Sequence, residues 1–269
     1  QTLRALENFP ISGLRVHPAL IVATAQVKLA AAQANVALGR LSPTIGNAIV
    51  AAAREVIGGR WHDQFPVDVY QAGAGTSHSM NANEVLANRA LELLGEARGR
   101  YGVVHPVEHV NLGQSTNDVF PTAMRLAALT RMHSLLQALD GLESAFRERS
   151  RAFDGVLKAG RTHLQDAPPI RLGQEFGAYA TATATHLGSI GETRGPLRSL
   201  GLGGAAVGTG HNTHPDYRRL VTATLSDLTG ESLTPAPDPV DAMQSLRPFA
   251  AISGALRTLC LDLVRICND

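Results

Sequence analysis

The chain has 269 residues, 44% of them hydrophobic and 17% charged, enough for a sizeable core and not the composition of a disordered segment. Its 24 basic and 23 acidic side chains cancel to +1, so no basic surplus points to nucleic acid and no acidic tail stands out. Cys260 and Cys267 fall seven apart on what reads as one helix, out of disulfide reach, and a cytoplasmic, reducing setting is expected. No signal peptide and no apolar run near ~20 residues is read, so neither secretion nor a membrane partner is expected.

Alanine occurs 39 times and aromatic residues make up only 4%, which suits long helices packed closely. Apolar residues recur at helical spacing from His17 to Gly39, and further helices read over Pro43 to Ile57 and Met80 to Leu94. From Thr122 to Phe153 one apolar stripe runs without proline, with Gly141 its weakest point. Ile170 to Ile190 repeats the pattern, and Val240 reads as helix to the C-terminus. No segment reads as a strand of comparable strength, so the fold expected is all-α: a long-helix bundle behind a smaller helical N-terminal domain. A composition shift near Ser115 to Pro121 places the boundary between domains 1–116 and 117–269. The apolar surface of such long helices calls for burial between subunits, hence a homo-oligomer.

Three polar segments interrupt the apolar rhythm. Gln71-Ala-Gly-Ala-Gly-Thr-Ser-His-Ser-Met runs into a helix, and its small residues, with the hydroxyls of Thr76 and Ser77, suit a backbone that approaches an anion. The plainer reading is a capped loop. Gln114-Ser-Thr-Asn-Asp-Val-Phe-Pro puts Pro121 in the first turn of a helix, with Ser115, Thr116, Asn117 and Asp118 at or before its start. One of the four serves as the cap, and the rest form a carboxylate clamp at a positive helix end. In Gly160-Arg-Thr-His-Leu-Gln-Asp-Ala-Pro-Pro, Asp166 caps a helix opened by Pro168 or Pro169, leaving Thr162 and His163 without a local task. The His105/His109 and His211/His214 pairs are interrupted or followed by proline, read as loops, and give no metal site. Gly201-Leu-Gly-Gly-Ala-Ala matches a dinucleotide fingerprint only formally, because no strand precedes it and no βαβ unit follows.

Taken in order, these segments resemble the aspartase/fumarase superfamily. So do Thr2-Leu-Arg-Ala-Leu-Glu-Asn-Phe, Asp63-Gln-Phe-Pro-Val-Asp-Val-Tyr-Gln, Asn81-Ala-Asn-Glu-Val-Leu-Ala-Asn-Arg, Ala206-Val-Gly-Thr-Gly and Ile266-Cys-Asn-Asp. Ala72-Gly-Ala-Gly-Thr-Ser and the single Ser of Gln114-Ser-Thr-Asn-Asp lean toward the aspartate ammonia-lyase branch, as does His105-Pro-Val-Glu where fumarases tend to carry His-Pro-Asn-Asp. His211-Asn-Thr-His-Pro-Asp-Tyr resembles class II fumarases more closely.

The resemblance implies a cofactor-free anti elimination of ammonia from L-aspartate to fumarate through an aci-carboxylate dianion. It assigns Thr76, Ser115 and Thr116 to the β-carboxylate, Asn117 and His163 to the amino group, and Thr162 to the α-carboxylate, with Ser77 beside them. His163 and Thr162 are the catalytic candidates. It further implies a homotetramer whose active sites draw on three subunits. The family's Gly-Ser-Ser-x-Met-Pro-x-Lys-x-Asn-Pro loop, which carries the serine base, would fall beyond Asp269, so the chain as given is expected to be inactive alone. His78, Ser79 and His211 depart from the family pattern near the expected pocket. A non-catalytic helical scaffold is the reading of another class.

Overall fold

A computed structural model describes residues 1–73 and 75–269, and Ala74, inside the Ala72-to-Ser77 motif, lies outside the described residues. The chain is built of helices with two small two-stranded sheets, the all-α class expected. In order come α1 (Thr2–Asn8), α2 (Pro18–Ala37), α3 (Pro43–Ile57), α4 (Thr76–Leu93), a π-type turn (Pro106–Val110) and α5 (Thr116–Ala152). After these follow β1 (Leu157–Thr162), β2 (Gln165–Arg171), α6 (Leu172–Glu192), α7 (Arg194–Leu197), β3 (Ser199–Leu200), α8 (Tyr217–Thr229), β4 (Thr234–Pro235), α9 (Pro239–Gln244) and α10 (Arg247–Asn268). Two compact units result: residues 1–128 with 197–245, and residues 129–196 with 246–269.

Local chemistry sets the helix starts. The His17 ring nitrogen Nδ1 accepts the Ala19 N–H at 3.0 Å, and Pro18 occupies the first helical position of α2. Ser42 and Pro43 repeat the device for α3, with Ser42 Oγ accepting the Ile45 N–H at 3.3 Å. The core of the first unit lies where α2, α3 and α4 meet, through Leu29, Ile49, Val56, Leu86 and Leu91, all at most 1% exposed. Against the expectation that no apolar run nears membrane-spanning length, α2 has 20 residues and is long and apolar enough to cross a membrane by length and composition alone. Two-thirds of its most apolar stretch is buried in protein, so here it serves as a core helix.

Six other expectations are corrected. A short strand, β3, does precede Gly201 and pairs parallel with β4 across α8, where neither a strand nor a βαβ unit was expected. Helix α4 starts at Thr76, a turn before Met80, because Ser77, His78, Ser79, Asn81 and Asn83 are buried by tertiary packing despite their polarity. Helix α5 begins at Thr116, so Pro121 sits past its first turn, where it cannot donate to the Asn117 carbonyl. Asp166 and Pro168–Pro169 open no helix: they belong to β2, which pairs antiparallel with β1. Prolines are tolerated there because the hairpin is a lone pair of edge strands. Its bulge at Ala159/Gly160 brings the strands so close that a Cβ on Gly160 would lie 2.7 Å from the Pro168 carbonyl oxygen. Pro106 opens a helical turn where a loop was expected, and His105 Nδ1 accepts the N–H groups of Val107 and Glu108. Finally, the C-terminal helix is broken at Ser245–Leu246, ahead of Pro248, into α9 and α10.

One carboxylate ties the segment before α2 to the core. Asp68 accepts the Ser12 and Gly13 N–H groups at 2.7 Å each, and the Ser12 hydroxyl and Tyr70 N–H at 2.8 Å. Burial alone would push its pKa up, yet these donors hold it down at about 2. Its contribution is therefore present above the unfolded carboxylate value of ~3.9 and lost as pH falls through about 2. Asp68→Ala is expected to speed amide exchange at Ser12, Gly13 and Tyr70 at neutral pH, and unchanged protection there would contradict this.

Candidate active site

The start of α5 is fixed from both directions. Ser115 Oγ accepts the Asn117 N–H at 3.2 Å, while Asp118 reaches back to accept the Ser115 N–H at 2.9 Å. The other Asp118 oxygen accepts the N–H groups of Gly203 and Ala205 at 3.0 and 3.1 Å. The glycine-rich loop thus turns its amides on an anion the protein itself supplies, which explains the formal fingerprint at Gly201 without a dinucleotide. Asp118 is fully buried. Burial pushes its carboxyl up to about 6, against the three N–H donors and the charge of Lys28.

With Asp118 holding the frame, Ser115 and Thr116 are half-buried and line an open cleft of about 920 Å³. Arg40, Glu108, His211 and His214 share its wall. Asn117 is exposed, and its Nδ2 donates to the Ala206 carbonyl at 2.8 Å, tying α5 to the same loop. That leaves Oδ1, an acceptor, as the polar atom Asn117 can offer to an ammonium group.

Thr76 is exposed at the first position of α4, whereas Ser77 is buried at 8% exposure and so less open to a ligand. Neither lines the cleft. The start of α4 rests on α5 through aromatic contacts: Gly75, at φ +84°, packs on the Phe120 ring, and His78 meets that ring edge-on at 5.8 Å. His78 is buried, with Nε2 2.9 Å from the Thr24 hydroxyl and its N–H donating to Gln71 Oε1 at 2.6 Å. Burial and the charge of Lys28 lower its pKa to about 4, so it is neutral at ordinary pH.

Thr162 and His163 belong to the second unit. Thr162 ends β1, and His163 with Leu164 forms the two-residue hairpin turn, both at positive φ (52° and 60°). Such a turn normally selects Asn-Gly, so a histidine and a leucine there are held against local preference. Both are exposed, Leu164 at 87%, and the tip presents an apolar and an imidazole side chain together.

Lys28, Arg40 and Glu108 escaped the sequence reading as candidates. For Lys28 a signal existed: a lysine among Val27, Leu29, Ala30 and Ala31 on an apolar helix cannot reach water from the buried face. Arg40 and Glu108 reach the cleft through loop geometry that no local pattern announces. Among the described residues, no group of three or more His, Cys, Asp or Glu side chains could hold a metal ion.

The sequence model of a family described as lyase matches residues 1–269, the whole chain. The chain belongs to this lyase family. Aspartate ammonia-lyase from a Bacillus species is 48% identical over 269 residues, covering all of this chain and 58% of that relative. A class II fumarate hydratase from Nitrosomonas europaea is 47% identical over 270 residues, again with 58% of the relative covered. Among solved structures, a fumarate lyase:delta crystallin from Brucella melitensis superposes with a TM-score of 0.98 at 46% identity, covering all of this chain and 59% of that one. A class II fumarase from Schistosoma mansoni gives 0.96 at 35% identity. The chain thus spans somewhat under three-fifths of the length of the curated relatives it matches. The aspartase/fumarase resemblance carried by the sequence motifs is borne out.

Proposed function

We propose that the protein is an aspartate ammonia-lyase, acting on L-aspartate to release ammonia and fumarate by anti elimination without a cofactor. The observation that carries this is the start of α5, where Ser115 and Thr116 line an open cleft at a positive helix end fixed by Asp118. An aci-carboxylate concentrates two negative charges on one carboxylate. Hydroxyl donors preorganised at a helix N-terminus stabilise that charge as it develops. In this reading Thr76, Ser115 and Thr116 hold the β-carboxylate, with Ser77 as a nearby contributor. Asn117 Oδ1 and His163 meet the amino group, and Thr162 the α-carboxylate.

The same proposal includes a cytoplasmic homotetramer that completes the bundle and shares its sites between subunits, with neither nucleic acid nor membrane as partner. It also includes a division of labour between an N-terminal lyase domain, 1–116, and the start of the bundle domain, 117–269. Fumarate hydration to L-malate is the second reading, favoured by the near-equal identity to class II fumarases and by His211 and His214 in the cleft wall.

The test is His163→Ala in the protein at the full length of its relatives. Turnover of L-aspartate should fall about 100-fold, the scale of a lost proton-transfer or leaving-group contact, with fumarate binding changed far less. An unchanged turnover rate would remove His163 from the site.

A further inference from the structure

We propose that Lys28 is the positioning residue of the carboxylate clamp: its buried ammonium holds the turn that carries Ser115 to Asn117, and the clamp takes a dicarboxylate best when Lys28 is charged. This rests on the clamp reading above. Lys28 is one of only two lysines in the chain, and it is completely buried in α2. Its Nζ donates to Asn111 Oδ1 at 2.7 Å and to Gln114 Oε1 at 3.0 Å. Asn111 Nδ2 in turn donates to the Gln114 carbonyl at 3.1 Å, and Gln114 Nε2 to the Val110 carbonyl at 3.0 Å. The ammonium is therefore the hub of a turn whose last residue is bonded to Ser115. No other side chain reaches Gln114 Oε1 in this way among the described residues.

The electrostatic setting makes that hub responsive. Burial lowers the Lys28 pKa to about 7, opposed by the negative charge of Asp118 at the start of α5. From α4 the facing ionisable group is His78, kept neutral by burial and by Lys28 itself. From α8 it is the buried Tyr217, whose hydroxyl burial and Asp118 hold well above its ordinary value. The other α8 cations turn elsewhere, Arg218 to the Ala236 carbonyl and Arg219 to Asp216. On α3, Arg54 is exposed and Glu55 is paired with Arg89. The π-type turn also packs on α2 and brings Glu108, which reaches the cleft wall beside Arg40, and His109, whose pKa burial lowers. Asp118 and Lys28 are the opposite charges buried beneath the clamp. As pH rises through about 7 the ammonium is lost and Asp118 stays negative, so the field under the clamp turns against an anionic ligand.

The experiment measures fumarate affinity by calorimetry between pH 6 and 8.5 for the assembled full-length protein and its Lys28→Met variant, with folding checked by Trp61 fluorescence. The wild-type affinity should fall with rising pH. The variant should bind about tenfold more weakly at the acid end, with the Lys28-dependent slope gone, so that the two converge at high pH. A folded variant with wild-type affinity, or one that keeps the wild-type slope above pH 7, where Asp118 is already ionised, overturns the proposal alone. Absence of fumarate binding by the wild type overturns the clamp reading, and this proposal with it. If Lys28→Met does not fold, magnetic resonance titration of the Lys28 side chain decides the matter. Linkage requires bound fumarate to raise its pKa, and an unmoved pKa overturns the proposal.

Discussion

Replacing Asp118 with alanine is expected to cost about 3–5 kcal/mol in the first unit, at the upper end for a single substitution. Three N–H groups, the half-buried one of Ser115 and the buried ones of Gly203 and Ala205, lose their acceptor at once, and the charge of Lys28 loses its counterion. Asp118→Asn keeps the shape but turns an amide N–H₂ toward at least one of those donors, so it should fall between wild type and alanine. The chain has one tryptophan, Trp61, packed beneath the guanidinium groups of Arg60 and Arg89 in the first unit. Its fluorescence during urea unfolding reads that unit without a contribution from the second. A midpoint for Asp118→Ala within error of wild type would show that the glycine-rich loop is held by something else. Binding of a dicarboxylate should weaken along with stability, because Asn117 is anchored to the Ala206 carbonyl of that loop.

Gly75→Ala is expected to cost about 2–4 kcal/mol and to displace Thr76 from its place at the head of α4. Two penalties combine. The residue sits at φ +84°, a conformation that an L side chain rarely adopts, and its added Cβ would lie 2.4 Å from carbon atoms of the Phe120 ring. The two can be separated. In a Phe120→Ala background the steric share disappears, and Gly75→Ala should then cost only the ~1–2 kcal/mol of the left-handed backbone. Equal penalties in the two backgrounds would mean that the ring moves aside freely. A fumarate affinity unaffected by Gly75→Ala would mean that Thr76 takes no part in the clamp.

Some elements could be read from the chain alone for identifiable reasons. Ser42-Pro43 states a helix start in both its hydroxyl and its fixed φ, and α3 indeed spans Pro43–Ile57. The start of α4 was hidden because Ser77, His78 and Ser79 are polar in sequence yet buried in the fold, so burial does not follow the hydrophobic pattern there. The β1–β2 hairpin was hidden for the opposite reason. Its turn is built from His163 and Leu164 at positive φ, without the glycine that would announce it, and Pro168 and Pro169 suggest a helix start instead.

The candidate site divides in the same way. Hydroxyls at a helix start are visible as composition, so Ser115, Thr116 and Asn117 stood out. The groups that hold them, Lys28 and the two loop amides facing Asp118, come from distant parts of the chain, at separations of 83 to 87 residues. No local signal joins them; only the fold does.

The most direct test follows fumarate by its ultraviolet absorbance, with the protein at the full length of its relatives given L-aspartate and, separately, L-malate. Fumarate from L-aspartate, and little from L-malate, is the predicted result. Fumarate from L-malate with none from L-aspartate would contradict the ammonia-lyase assignment in favour of the hydratase. No fumarate from either, by a folded and assembled protein, would contradict catalysis at this clamp altogether.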